Sequence, residues 1–220
     1  MSTATIAEPA LETLADLVRG LGGIPLERIR WHPLPGSATE TDLLASAGRT
    51  ALHCELVDRV LVEKPMGYYE SRLAAVLIAY LETFLGTHDR GIVTGEGGTV
   101  RLAPGLVRIP DVAFFAWRHF PNRLLPAAQM PDLTPDLAVE ILSPSNTVAE
   151  MARKRREYFA GGCQLVWEVN PNACTVAIYT TPDQSTLLTE DDHLDAVTVL
   201  PGFTLSIRQW FDRAGRRQLP

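Results

Sequence analysis

The sequence predicts an α/β or α+β domain in which helices pack against a β-sheet. Two long segments, Tyr68–Leu85 and Val148–Ala160, have apolar residues at helical spacing. Each lies among short segments that are rich in β-branched and aromatic residues, which is typical of strands. The chain has 220 residues, of which 46% are hydrophobic and 21% are charged, so it is long enough to bury its own core.

The first 41 residues are predicted to form an N-terminal extension, or arm, that contains a helix. Residues 9–21 have helical apolar spacing, and the Gly22-Gly23 pair ends that helix. Residues 25–41 are rich in proline and turn formers and are predicted to be extended. A short helix is predicted to follow at residues 41–46.

Residues 55–63 are predicted to form a hairpin with Asp58-Arg59 at its turn, although the usual turn glycine is missing. The helix over Tyr68–Leu85 follows, and a capping box at Thr147 to Glu150 opens the helix over Val148–Ala160. The remaining strands are predicted from β-branched and aromatic runs between turn formers, at residues 91–94, 99–102, 106–109, 111–117, 136–142, 164–169, 174–180, 186–188 and 196–200. A surface loop is predicted at residues 118–135, and a short helix at residues 206–212.

Composition argues against several classes of protein. No apolar run is long enough to span a bilayer and the N-terminus lacks signal-peptide features, so we expect a soluble, cytoplasmic protein. Three irregularly spaced cysteines and five scattered histidines give no zinc-ligand pattern. The net charge of −6 argues against a broad nonspecific DNA-binding surface, but it leaves room for a local basic groove.

Two acidic residues stand where strands are predicted to begin or to cross the core. Asp111 opens the predicted strand 111–117, and Glu140 is a charge between apolar neighbours in the predicted strand 136–142. A buried carboxylate normally has a partner or a metal, because burying it alone is costly. Two carboxylates are what Mg²⁺ or Mn²⁺ commonly takes from a protein, and such an ion can polarise a phosphodiester.

Lys154 shares one stripe of its predicted helix with Met151 and Tyr158, whereas the arginines beside it point elsewhere. A lysine on this inward stripe can stabilise a transition state or hold the nucleophilic water. Each residue taken alone can also be explained without a function. Asp111 can be a turn residue after proline, Glu140 can pair with an arginine, and Lys154 can snorkel from the helix to solvent.

The run PDLAVEILSPSNTVAEMARKRREYFAGGCQLVWEVNP resembles the Uma-two family, a former domain of unknown function grouped with restriction endonucleases in the PD-(D/E)XK nuclease superfamily. The stretches ELVDRVLVEKPMGYYES and LVRIPDVAFF also match the family's pattern, so the resemblance covers roughly residues 42–180. It implies a restriction-endonuclease-like fold, a central mixed sheet flanked by helices. The predicted division is an arm at 1–41, a nuclease-like domain at 42–205, and a short helix and tail at 206–220.

The resemblance also implies the roles of particular residues. The family's motif aspartate falls on Asp111 and its motif glutamate on Glu140, and these two would bind the metal. In the simplest form of the motif, the residue two after the glutamate is lysine, but here it is Leu142. The resemblance implies that the lysine has migrated to the helix, where it falls on Lys154. Further positions expected to line the site are Glu55, Glu70 and Ser143.

The expected function is therefore that of a Mg²⁺- or Mn²⁺-dependent endonuclease that hydrolyses phosphodiester bonds, with DNA as the expected substrate. A homodimer is expected, because cutting both strands of a duplex needs two sites and twofold dimers are the commonest oligomers. Two alternatives stay open, since a fold does not fix a function. One is a catalytically inactive nuclease-fold protein that binds nucleic acid, and the other is an assembly subunit.

Overall fold

The computed structural model of the protein describes residues 13–47, 53–65 and 67–216. The start of the first predicted helix, residues 9–12, and the end of the predicted tail, residues 217–220, lie outside the described residues. The described helices are α1 (Leu14–Gly20), α2 (Glu40–Ala47), α3 (Tyr68–Leu85), α4 (Val148–Ala160) and α5 (Ile207–Ala214). No helix among the described residues is both long enough and apolar enough to cross a membrane.

Twelve strands lie within the same residues: β1 (Cys54–Val57), β2 (Val60–Glu63), β3 (Gly91–Gly95), β4 (Val100–Ala103), β5 (Leu106–Arg108), β6 (Val112–Ala116), β7 (Leu137–Ile141), β8 (Leu165–Asn170), β9 (Thr175–Tyr179), β10 (Ser185–Leu188), β11 (His193–Asp195) and β12 (Thr204–Ser206). They form a six-stranded sheet, a four-stranded sheet and a pair made of β11 and β12.

The six-stranded sheet has the order β10-β9-β8-β7-β6-β3. Its central pair, β7 and β8, is parallel, and α4 lies between these two strands in the chain as their crossover. All the other neighbours in the sheet are antiparallel. The predicted class, a mixed sheet flanked by helices, is therefore confirmed.

The two faces of this sheet have different partners because side chains alternate along each strand. Leu137, Val139 and Ile141 of β7 face the main core, where α3 and α5 pack. The intervening residues Ala138 and Glu140 face the other way, and Ala138 packs there against Tyr158 of α4. A charged residue on β7 is therefore directed at α4 rather than into the main apolar core.

The four-stranded sheet has the order β2-β1-β5-β4 and is antiparallel throughout. Asp58 and Arg59 form the β1–β2 turn with φ of 49° and 58°, so the hairpin is made without glycine. The Asp58 carboxylate also accepts two hydrogen bonds from Arg153 of α4, at 2.7 and 2.8 Å. That ion pair links the turn to the helix.

The chain crosses between the two sheets three times, first through α3, which joins β2 to β3. Residues 96–98 form the second crossing, because they join β3 to β4 and these strands pair in different sheets. The third crossing joins β5 to β6 through Ile109, Pro110 and Asp111. Asp111 therefore lies at the junction of the sheets, where its N–H donates to the Val139 carbonyl at 3.0 Å.

The N-terminal arm packs on the small sheet and on α4. Leu17, Leu21 and Ile24 form an apolar cluster with residues of the β1–β2 hairpin. Gly22, at a φ of +89°, brings the arm so close to α4 that a Cβ there would lie 2.5 Å from the Glu150 nitrogen. Buried Arg28 completes the contact, with its two terminal nitrogens 2.9 and 2.7 Å from the Glu150 carboxylate.

One predicted strand is wrong. Residues 196–200 form a turn, in which the Ala196 carbonyl accepts from the N–H groups of Val199 and Leu200. The strand in this region is β11, which ends at Asp195 and pairs with β12. Ala196 and Leu200 are nevertheless fully buried in the main core. These apolar residues are buried in the core although they belong to a turn and not to a strand.

Candidate active site

Six charged side chains meet between the two sheets and α4. They are three carboxylates and three cations, and none is more than 8% exposed: Glu55, Lys64, Arg108, Asp111, Glu140 and Lys154. We call this set the buried charge cluster. Its members come from β1, the residue after β2, β5, the residue before β6, β7 and α4, so the cluster joins every element that surrounds it.

Glu140 is held by two residues one helical turn apart on α4. Its Oε1 accepts a hydrogen bond from the Tyr158 hydroxyl at 2.7 Å, and its Oε2 lies 3.2 Å from the Lys154 ammonium. The contact follows from two periodicities, because Glu140 is on the α4 side of β7 and Lys154 and Tyr158 share the inward stripe of the helix. The structure places Lys154 beside Glu140, as expected from the sequence.

Asp111 is fixed by the neighbouring strand and by a second lysine. Its Oδ2 accepts from the backbone N–H of Ile141 at 2.6 Å, and its Oδ1 lies 2.9 Å from the Lys64 ammonium. The same ammonium lies 3.7 Å from Oε2 of Glu140 and donates to the Ile109 carbonyl. Lys64 therefore stands between Asp111 and Glu140.

Glu55 is the most deeply buried carboxylate of the cluster, with no exposed surface. Its Oε1 lies 3.1 Å from the Lys154 ammonium and also accepts from the Ile109 N–H at 3.1 Å. Its Oε2 accepts from Arg108 at 2.7 Å. Lys154 thus bridges Glu55 and Glu140, while Arg108 anchors the far side of Glu55.

Opposite charges in the cluster shift the pKa values of their neighbours in the direction that favours the charged forms. Burial acts to raise the pKa of Glu55, but the positive charges of Lys154, Arg108 and Lys64 outweigh it and hold the pKa well below its usual range. Burial acts to lower the pKa of both lysines, but the facing carboxylates outweigh it and raise the pKa of each. Glu55 and the two lysines are therefore charged at neutral pH. Burial and the Glu140 charge raise the pKa of Tyr158, which stays a neutral donor.

The structure thus brings together Asp111, Glu140, Lys154 and Glu55 from the predicted site. Glu70 lies in the first turn of α3, with its carboxylate over Gly67 at the start of the helix. Ser143 lies in the turn between β7 and α4, where its Oγ is 3.0 Å from Oδ1 of Asn146. Neither belongs to the buried charge cluster.

Three members of this neighbourhood are not predicted from the sequence, namely Lys64, Arg108 and the hydroxyl of Tyr158. Composition carried a signal for the first. The chain contains only two lysines, Lys64 and Lys154, and its other 18 basic residues are arginines. Both lysines are buried beside the same carboxylates. Arg108 and Tyr158 gave no comparable signal, because their roles depend on contacts between elements distant in the chain.

The donors of this site fit a small hard cation. Oδ1 of Asp111 and Oε2 of Glu140 face one point, which the Lys64 ammonium takes. No group of three or more His, Cys, Asp or Glu side chains within the described ranges is arranged to hold a metal. Asp111 and Glu140 would supply two carboxylates, a number that suits Mg²⁺, which fills its other positions with water and phosphate oxygens.

The mixed sheet with its β7-α4-β8 crossover is a nuclease-like fold. The structure resembles a crystal structure described as a "putative nuclease" from Anabaena variabilis, with a TM-score of 0.68. The two chains are 19% identical, and the match covers 79% of this chain and 97% of the other. At this identity the likeness shows the fold alone.

The family follows from a separate comparison. The family model Uma2, described as "Putative restriction endonuclease", matches residues 41–208, which is most of the chain. The protein belongs to this Uma-two family, and the predicted membership is confirmed. None of the curated proteins that were compared with the chain matches it.

The charge balance of the cluster is testable at Glu55. Glu55→Gln keeps the shape but leaves Lys154 and Arg108 buried with one counter-charge fewer, so we expect a loss of about 3–5 kcal/mol in the free energy of unfolding at neutral pH. The folded pKa of Glu55 lies below the ordinary value of 4.5. Its contribution is therefore fully present above that value and is lost as the pH falls below it toward the folded value.

Urea denaturation should thus show a deficit for Glu55→Gln at neutral pH that shrinks between about pH 5 and pH 3. The matched control is Glu27→Gln, which changes an exposed glutamate and should leave stability within about 0.5 kcal/mol of wild type. A Glu55→Gln protein as stable as this control would contradict the charge balance.

Proposed function

We propose that this protein is a metal-dependent endonuclease that hydrolyses phosphodiester bonds of nucleic acid, with DNA as its substrate, in the cytoplasm. One observation carries the proposal. Asp111, just before β6, and Glu140, on β7, each direct one oxygen at the Lys64 ammonium, while the Ile141 N–H and the Tyr158 hydroxyl hold their other oxygens. Membership of the Uma-two family supports the same assignment.

Asp111 and Glu140 would hold Mg²⁺ or Mn²⁺ in this proposal. When bound, such an ion polarises a phosphodiester and helps to ionise an attacking water. The chain's own residues set the geometry. The Ile141 N–H fixes Asp111 and the Tyr158 hydroxyl fixes Glu140, so neither carboxylate must be reoriented before it can act.

Lys154 has a separate role in the proposal. Its ammonium is held by Glu55 and Glu140 at 3.1 and 3.2 Å, and almost none of its side chain is exposed. A fixed positive charge in such a poorly solvated position stabilises negative charge that develops on a reacting phosphate. Glu55 would act as a positioning residue for Lys154.

A second function has a specific observation in its favour. The cluster sets three carboxylates against three cations, Arg108 also pairs with Glu157, and the cluster is almost closed to solvent. A site of this kind needs no metal for its stability. A catalytically inactive nuclease-fold protein that binds nucleic acid, or serves in an assembly, would show the same balance.

Cleavage assays decide between these functions. Purified protein would be incubated with single-stranded and double-stranded DNA and RNA in the presence of Mg²⁺ or Mn²⁺. We expect Asp111→Asn and Lys154→Met to reduce DNA cleavage by about 100-fold or more, on the scale of removing one preorganised electrostatic group. Arg156→Met, which changes an exposed arginine on the same helix, is the matched control and should cleave at the wild-type rate.

Circular dichroism on each variant would verify that the fold is kept. Wild-type activity in Lys154→Met would refute the role of the lysine, and wild-type activity in Asp111→Asn would refute the site. If folded wild-type protein cleaves none of the substrates, the inactive alternative is favoured.

The proposal includes a homodimer, because cleavage of both strands of a duplex calls for two active sites and twofold symmetry supplies them. Sedimentation equilibrium at micromolar concentrations should give the mass of two chains. A mass of one chain throughout that range would contradict the dimer.

A further inference from the structure

The position of Lys64 sets it apart from the other cations of the cluster. It directly follows β2, and its side chain is 3% exposed. Its ammonium touches both residues of the proposed metal pair, Asp111 and Glu140, whereas Lys154 contacts Glu140 and Glu55. The two lysines of the buried charge cluster therefore share Glu140 and differ in their second carboxylate, which is Asp111 for Lys64 and Glu55 for Lys154.

The oxygens that a metal could use both face Lys64, and Lys154 reaches one of them, because its ammonium lies 3.2 Å from Oε2 of Glu140. The Ile141 N–H occupies Oδ2 of Asp111, and the Tyr158 hydroxyl occupies Oε1 of Glu140. The remaining oxygens, Oδ1 and Oε2, lie 2.9 and 3.7 Å from the Lys64 ammonium. A divalent cation that binds both of them must approach the point where the ammonium lies, and the two positive charges repel each other.

We propose that Lys64 is a tethered cation that competes with the divalent metal for Asp111 and Glu140, and so sets the metal affinity of the site. The inference rests on the proposed function, because it takes these two carboxylates as the metal ligands. The flexible four-carbon stem of lysine lets its ammonium leave the carboxylates without movement of the strand.

This competition links metal binding to the substrate. A divalent cation that takes the place of the Lys64 ammonium leaves the cluster with one more positive charge than before. The displaced ammonium also needs another anion, and a phosphodiester supplies one. Metal should therefore bind weakly to the free protein and more tightly when a phosphate backbone is present.

Calorimetric titration with Mn²⁺ alone tests the proposal without any activity assay. We expect Lys64→Met to bind Mn²⁺ at least about tenfold more tightly than wild type, because the competing charge is removed. Lys154→Met is the matched control. It removes the same charge from the same cluster but leaves the contact between Lys64 and Asp111, so its gain in affinity should be smaller. Glu140→Gln should lose Mn²⁺ binding.

The outcomes separate this inference from the proposed function. If wild type and Lys64→Met bind Mn²⁺ equally and Glu140→Gln does not, the tethered-cation role is overturned while the metal pair stands. If Lys154→Met gains as much affinity as Lys64→Met, the effect is general electrostatics, and the competition is overturned. Absence of Mn²⁺ binding in all of these proteins overturns both proposals.

A second measurement needs no variant to stay folded. Wild-type protein labelled with ¹⁵N-lysine contains only two labelled side chains, Lys64 and Lys154, so their ammonium signals can be followed individually. Titration with Mg²⁺ should shift the Lys64 signal as the ion binds and should shift the Lys154 signal less. A Lys64 signal unchanged at saturating Mg²⁺ would overturn the proposal.

Discussion

The need to neutralise buried carboxylates governs how this protein is put together. Leaving Glu55, Asp111 or Glu140 in the interior without a facing cation would cost several kcal/mol. Each therefore lies within 3.2 Å of a buried lysine or arginine nitrogen. The pairs connect the four-stranded sheet, the six-stranded sheet and α4, so the same interactions that make the site also set where the two sheets meet.

The N-terminal arm belongs to this arrangement, although it precedes most of the region that matches the family. Arg28 of the arm donates to the Glu63 and Ser145 carbonyls and pairs with Glu150. These contacts hold the end of β2, the turn after β7 and the first turn of α4, which are the supports of Lys64, Glu140 and Lys154. The charge balance of the site thus depends on a segment that contributes no member to the cluster.

Local periodicity was enough to predict part of the site. The alternation of β7 and the helical stripe of α4 predicted that Glu140 and Lys154 face each other, and 3.2 Å separates their charged atoms. Lys64 and Arg108 could not be predicted in this way, because they reach the cluster only when the small sheet packs on the large one. The strand predicted at 196–200 was wrong for a related reason, since the core buries apolar residues of a turn as readily as those of a strand.

The location of a bound metal decides whether Asp111 and Glu140 form a metal site. Crystals grown with Mn²⁺ and a short DNA duplex would be measured at a wavelength where manganese scatters anomalously. We expect an anomalous peak in bonding contact with Asp111 and Glu140, with the Lys64 ammonium moved off both carboxylates. A peak bound to other residues, or carboxylates still paired with Lys64 at saturating Mn²⁺, would contradict it.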